Sequence, residues 1–385
     1  MNGVLSGLEV LITERADLIR GQRLGLIATD GAVDRAFRHA VDLLREIPGA
    51  RLVRLFAAEH GIRGAEQAGA AIEDGVDPIS GLPVHSIYGA RLWPTDAALA
   101  DLDALLFDMP DVGARFYTRA ATLVYSLRAA ARAGRRLIVL DRPNPIGGTA
   151  IEGPLLRPGF ESFVGLVGLP IRHGLTLGEL ARLVDREERL GADLVVVPAR
   201  GWERSQWFDQ TGLPWIMPSP NLPTLETATV YPGTCLIEGT NVSEGRGTTR
   251  PFELIGAPFV EADRLARELN ALHLPGVHFR PVVFRPVAHK HAGAACGGVQ
   301  VHVTDRRVFR PVLAGTALVL TLHRLWPSEF AWRTGTGTDL LIDRLAGGTW
   351  LREAVDAGAD PRDVAAGWKG DEEAFAHRRE PILLY

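Results

Sequence analysis

Four stretches of this sequence place reactive side chains where they could do chemistry. The first is Glu59-His60-Gly61, directly behind the apolar run at 51–57. A carboxyl group shielded from water can hold its proton near neutral pH and act as a general acid or base. Hydrolysis of a glycosidic bond asks for one such group at the leaving oxygen and another to support the cation-like centre. His60 is placed to supply that proton instead, or to orient Glu59. The second stretch, 108–115 (DMPDVGAR), offers Asp108, Asp111 and Arg115, with Tyr117 just beyond. The two aspartates stand i, i+3 and suit equally a site or the cap of a following helix. The third offers Asp141, Arg142 and Asn144, readable as binding groups or as an ion pair with a turn residue. The fourth, 219–253, is polar and rich in Gly, Thr and Pro, without helical or strand periodicity for most of its length. A structureless run of that length in a compact protein is usually functional. It holds Glu226, Glu238 and Glu244, Arg246 between two glycines, Tyr231, and the neutral groups of Asn221, Asn241, Ser243, Thr248 and Thr249. Carboxylates, a guanidinium and many small donors suit a sugar or polyol better than an apolar ligand. A long surface connection between domains is the plain alternative.

The elements that must position these groups follow from periodicity. Residues 23–28, 51–57, 104–108, 136–141 and 194–198 read as continuous apolar strands, and 35–47, 120–133 and 177–188 as helices. Such alternation predicts an α/β fold with a Rossmann-like, mainly parallel sheet covered on both faces. Ligands bind beyond the carboxyl ends of such strands. Glu59, Asp108–Arg115 and Asp141–Asn144 all stand at that end, so convergence on one crevice is expected. His173 precedes the 177–188 helix, where a hydrogen-bonded loop histidine is the bland reading. Beyond Glu253 the pattern changes: helices at 262–272, 313–325 and 339–345 and strands at 279–287 and 298–303 read as a smaller α+β domain. The boundary is placed at 228, dividing the chain into 1–228 and 229–385.

Composition excludes several classes. The 385 residues are 46% hydrophobic and 23% charged, with a net charge of −4, an ordinary globular balance. No Lys/Arg block marks a nucleic-acid footprint. The N-terminus has no basic n-region with an uninterrupted apolar run, and no segment is long and apolar enough to span a bilayer, which points to the cytoplasm. Two cysteines, Cys235 and Cys296, make neither a disulfide framework nor a zinc set, and leave a single bridge open. No G-x-G-x-x-G follows a strand and no G-x-x-x-x-G-K-[ST] occurs, which disfavours a nucleotide-dependent oxidoreductase or an ATP enzyme. The absent G-x-S-x-G weakens an α/β-hydrolase reading. His289, Lys290 and His291 lack further ligands at metal spacing, so neither metal nor cofactor is expected.

Taken together, the motifs resemble those of the exo-β-N-acetylmuramidase family NamZ, formerly a domain of unknown function. The matching pieces are EHGIRG at 59–64, GLPV and SIYG at 81–89, DMPDVGARFYT at 108–118, DRPNPIGG at 141–148, EGP at 152–154, RHGLT at 172–176, and 219–253. Lys290, Gly293, Cys296-Gly297-Gly298 and 342–347 also fit, so the likeness covers nearly the whole chain in order. It implies a Rossmann-like domain, a smaller second domain and a cleft between them. It also implies removal of non-reducing-end β-linked N-acetylmuramic acid from peptidoglycan fragments. The family's proposed catalytic glutamate falls on Glu59. The second catalytic group stays open among Asp111, Glu226, Glu238, Glu244 and the substrate's own 2-acetamido group. Arg246 or Arg142 is expected to meet the lactyl carboxylate, and Tyr117 and Tyr231 the sugar ring. Three departures stand out: Ala28-Thr29-Asp30 where relatives carry Asn-Pro-Thr, Ala58 where Pro precedes the glutamate, and Pro110 where Gln is usual. Many relatives are also exported. A carbohydrate-binding protein that has lost turnover is the alternative; oligomeric state is left open.

Overall fold

Alternating side chains of the central strands pack into two separate cores, one on each face of a single sheet. In the computed structural model, which describes residues 3–64, 66, 69–335 and 339–385, the strands are β1 (Arg23–Ala28), β2 (Arg51–Ala57), β3 (Gly75–Val76), β4 (Pro83–Ser86), β5 (Ala104–Asp108) and β6 (Arg136–Leu140). They continue with β7 (Glu152–Leu155), β8 (Pro170–Arg172), β9 (Leu194–Val197), β10 (Leu254–Ala257), β11 (Val277–Phe284) and β12 (Cys296–Val303). The main sheet has seven strands in the order β3-β4-β2-β1-β5-β6-β9, all pairs parallel except β3–β4. Ile27, Phe56, Leu105, Phe107 and Val139 point to one face, under helices Arg119–Arg132 and Leu177–Glu188. Leu26, Leu55, Ala57, Leu106 and Ile138 point to the other, under Gly7–Glu14 and Ala40–Glu46. A strand buried on both faces reads as an unbroken apolar run, which is why these strands are visible in the sequence. The fold is the expected α/β arrangement. The second half adds an antiparallel sheet, β10-β12-β11, and a third core around helix Pro311–Leu325.

Several elements differ from the periodicity reading. The stretch 219–253 is not structureless: it contains helix Leu225–Thr234 and the tight helical turn Cys235–Gly239. Every residue from Thr227 to Thr234 is buried, so this helix has no polar face and no amphipathic signal. It lies so close to helix Pro311–Leu325 that a Cβ on Gly233 would sit 1.7 Å from the Pro311 carbonyl oxygen. The 35–47 helix begins only at Ala40, capped by the His39 ring after Phe37 has taken a left-handed φ of 61°. Helix Gly7–Glu14, closed by a Ser6/Glu9 capping box, was not anticipated. Cys235 and Cys296 are both free and buried. Among the described residues no helix is long and apolar enough to cross a membrane.

Candidate active site

Glu59 leaves the end of β2 and faces a cavity of about 180 Å³ whose walls come from both halves of the chain. Its Oε2 accepts from the Thr118 hydroxyl at 2.7 Å; its Oε1 accepts from the Tyr88 hydroxyl at 3.0 Å and the Gly69 amide at 3.1 Å. Arg119, almost fully buried, donates to the Glu59 carbonyl at 3.1 Å and to that of Pro218 at 3.2 Å. Burial pushes the Glu59 carboxyl up. The hydroxyl of Thr118, the charge of Arg119, His60 and the Tyr88 hydroxyl together outweigh it and hold the group below the ordinary value. The site therefore holds a carboxylate anion at neutral pH, not the protonated acid that shielding alone predicts. Burial, with the Glu59 charge, raises the Tyr88 phenol, so it remains a donor.

His60 takes a left-handed φ of 74° and its Nδ1 donates to the Glu66 carbonyl at 2.9 Å. Burial and the Arg119 charge lower its ring from the ordinary value. The Nδ1 bond leaves Nε2 as the lone-pair nitrogen.

The opposite wall is built from helix Leu225–Thr234 and the loop after it. Tyr231, Glu238, Arg246 and Phe252 line it, with Asn221 and Ser219 beside them. Tyr231 meets Phe116, Tyr117 and Phe252 edge-on at 5.3, 6.2 and 4.8 Å, a cluster that fixes its ring. Arg246 donates to Glu238 at 2.6 Å, approaches Glu244 at 3.3 Å and lies over the Phe252 ring at 5.0 Å. Behind it Lys290 meets Glu244 at 2.8 Å and the carbonyls of Ile237 and Val242 at 3.0 and 2.8 Å. Burial works against the Arg246 charge, and Glu238 and Glu244 more than restore it. Asn221 is buried and its Nδ2 has no hydrogen-bond partner among the described residues, a donor left over beside the cavity. A carboxylate, a spare amide donor, an aromatic cluster and a guanidinium thus share one cavity.

Models of the exo-β-N-acetylmuramidase NamZ match this chain twice, the N-terminal one over residues 24–226 and the C-terminal one over 229–385. The chain belongs to the NamZ family. It is 45% identical over 382 residues to the peptidoglycan β-N-acetylmuramidase NamZ of Bacillus subtilis (strain 168), covering 99% of this chain and 91% of that one. Two crystal structures of DUF1343 family proteins from Bacteroides fragilis NCTC 9343 share the fold. One has a TM-score of 0.92 at 34% identity, covering 100% of both chains; the other 0.77 at 27%, covering 99% of both.

Within this NamZ-family framework the remaining candidates divide. Glu59, His60, Tyr117, Asn221, Tyr231, Glu238 and Arg246 line the cavity. Tyr117 does so with its hydroxyl already given to the Pro218 carbonyl at 2.6 Å. Buried Asp108 and partly buried Arg142 form a two-pronged ion pair at 2.5 and 2.9 Å, so Arg142 is not a free cation for a substrate. Asp111 is buried beside His173 Nε2 at 3.9 Å and accepts from the Gly113 amide; burial lifts its carboxyl to about 6. His173 accepts from the Leu175 amide, and burial and nearby arginines push its ring down to about 3. Arg115 donates to the carbonyls of Pro154, Leu169 and Leu345, tying the two halves together. Asp141 caps helix Leu177–Glu188 through Thr176 and Gly178 and accepts from Tyr385. Asn144 bridges the Leu175 carbonyl and the Ile146 amide. Glu244 stands behind Arg246, with 3% of its surface exposed. Asn241 pairs with the backbone of Glu329 and Ala331, and Thr248 closes a turn on Gly245. Glu226 is exposed in the first turn of its helix. Tyr88, Thr118 and Arg119 are the partners of Glu59 that sequence reasoning missed; two of the three lie inside quoted motifs, SIYG and DMPDVGARFYT, without having been singled out. Of the departures from the family pattern, Pro110 packs against Gly31, where a Cβ would meet its ring at 2.7 Å.

Proposed function

We propose that this chain is an exo-acting glycoside hydrolase that removes non-reducing-end β-1,4-linked N-acetylmuramic acid from peptidoglycan fragments, with Glu59 as its general acid/base. The observation that carries the reading is the anchoring of Glu59. Three neutral donors and the nearby Arg119 charge hold it as an anion on the wall of a cavity shared by both halves of a NamZ-family chain. In that state it is a base, ready to take a proton from an attacking water or from the substrate's acetamido N–H. Having gained that proton, it can hand it to the leaving oxygen as the glycosidic bond breaks, which returns Glu59 to the anion. Arg246 meets the lactyl carboxylate, since its planar fork suits two-pronged carboxylate recognition and its Nε and Nη2 already converge on one oxygen of Glu238. A substrate carboxylate therefore competes with Glu238 for the same guanidinium. Asn221 Nδ2 supplies a donor to the sugar.

The test is release of 4-nitrophenol from 4-nitrophenyl N-acetyl-β-muramide beside the matching glucosaminide. Cleavage of the muramide alone is expected. Cleavage of neither by folded protein would leave a carbohydrate-binding protein without turnover.

A further inference from the structure

A second cavity, of about 570 Å³, is larger than the one at Glu59 and is lined by a different set of residues. Its walls are Ile146, 149–152, Arg172 at the end of β8 and Trp207 from the first half, and Pro275 with 306–310 from the second. Trp207 is flanked by two guanidinium groups, Arg306 at 4.8 Å and Arg172 at 5.7 Å from its ring centre. Arg310 lines the same space. Arg172 has 6% of its surface exposed and donates to the Ile146 carbonyl at 2.7 Å, while its buried Nε–H has no hydrogen-bond partner among the described residues. A buried guanidinium with an idle donor is costly unless something accepts from it. The neighbouring carboxylate, Glu152, lies 3.6 Å from Arg310 rather than on the idle Arg172 donor; burial lifts it to about 7, and it already accepts from the Leu313 amide at 2.9 Å. Arg306 and Arg310 hold their own carboxylates, Asp209 at 2.8 Å and Glu372 at 3.4 Å, at the rim.

We propose that this cavity is a binding site for a small phosphorylated ring compound, its ring lying on Trp207 and its phosphate among Arg172, Arg306 and Arg310. Arginine suits phosphate through its fixed fork of donors, and an indole face suits a sugar or base ring. The site is independent of the reading of the Glu59 cleft. Because its walls come from both halves of the chain, an occupant would contact both.

Titration calorimetry on the whole protein tests this with three probes: a hexose 6-phosphate, a nucleoside 5′-monophosphate and inorganic phosphate. Saturable binding of one of the ring phosphates, at least tenfold tighter than inorganic phosphate, is the expected result, and which of the two binds names the source. Arg306→Gln, at the rim, should weaken that binding at least tenfold and leave muramide cleavage unchanged; Trp207→Leu should weaken it without altering the response to inorganic phosphate. Absence of heat from all three probes at millimolar concentration would overturn the proposal. So would binding that survives both substitutions, because the ligand would then sit elsewhere.

Discussion

The ends of β2 and β5 both carry acidic residues, and the molecule uses them in opposite ways. At the end of β2, Glu59 is held by two hydroxyls and an amide, all neutral, and it faces a cavity. At the end of β5, Asp108 is fully buried and locked to Arg142, and Asp111 is buried against an amide and a neutral histidine. The difference shows what frees a charge for chemistry. A carboxylate bonded by neutral donors, with the Arg119 charge near but not paired to it, keeps its charge and its reach. One matched to a guanidinium in the interior has spent both on the fold.

The largest effect should come from Glu59→Gln. Turnover of the muramide is expected to fall by about 10³-fold or more, within the usual span for an acid/base group, while thermal unfolding stays near wild type. Near-normal turnover in that variant would remove Glu59 from the mechanism and dissolve the contrast. Asp108→Asn should act on the other side of it. Leaving partly buried Arg142 without a counter-charge should cost about 3 kcal/mol of stability in denaturant unfolding. A variant as stable as wild type but slow in turnover would make Asp108 a site residue after all.

Thr118→Val sharpens the comparison at smaller amplitude. Losing a hydrogen bond to a charged oxygen should slow turnover about tenfold. It should also raise the Glu59 carboxyl, since the Thr118 bond is the largest influence lowering it, so the acid limb of the pH–rate profile moves to higher pH. An unmoved limb would assign that limb to another group. Asp111→Asn is the most subtle. The folded Asp111 carboxyl lies near 6, above its ordinary value of 3.8. The native state thus binds the extra proton between these values, and stability from this group falls as pH rises through that window. The variant should gain on wild type between pH 4 and pH 7, by up to about 3 kcal/mol. A constant difference across that range would show that Asp111 titrates normally.

How much was readable varies by element. The parallel strands were legible because burial on both faces writes unbroken apolar runs such as Leu24–Ala28 and Leu137–Leu140. Helix Leu225–Thr234 was not, because a helix buried all around shows no stripe, and Pro232 and Gly233 read as breakers. Within the site, Glu59 stood out as a carboxylate at a strand end. Tyr88 and Thr118 did not, since nothing in a hydroxyl's sequence context says that it will meet a carboxylate 29 or 59 residues away. Arg142 and Asp141 were expected together, yet Arg142 pairs with Asp108 on the neighbouring strand end and Asp141 turns to Thr176 and Tyr385. Adjacent residues at a strand end point to opposite sides of the sheet, and only the packed neighbours decide which finds a counter-charge.

The sequence by itself determined the α/β class, the strand-end position of Glu59 and, through motifs spread over nearly the whole chain, membership of the NamZ family. Those are local facts: periodicity, composition and spacing survive without a third dimension. Only the tertiary structure decided which charges are spent and which are free. Ionisation depends on burial and on donors brought from distant segments, and both are settled when the sheet, the Leu225–Thr234 helix and the loops around them close on one another.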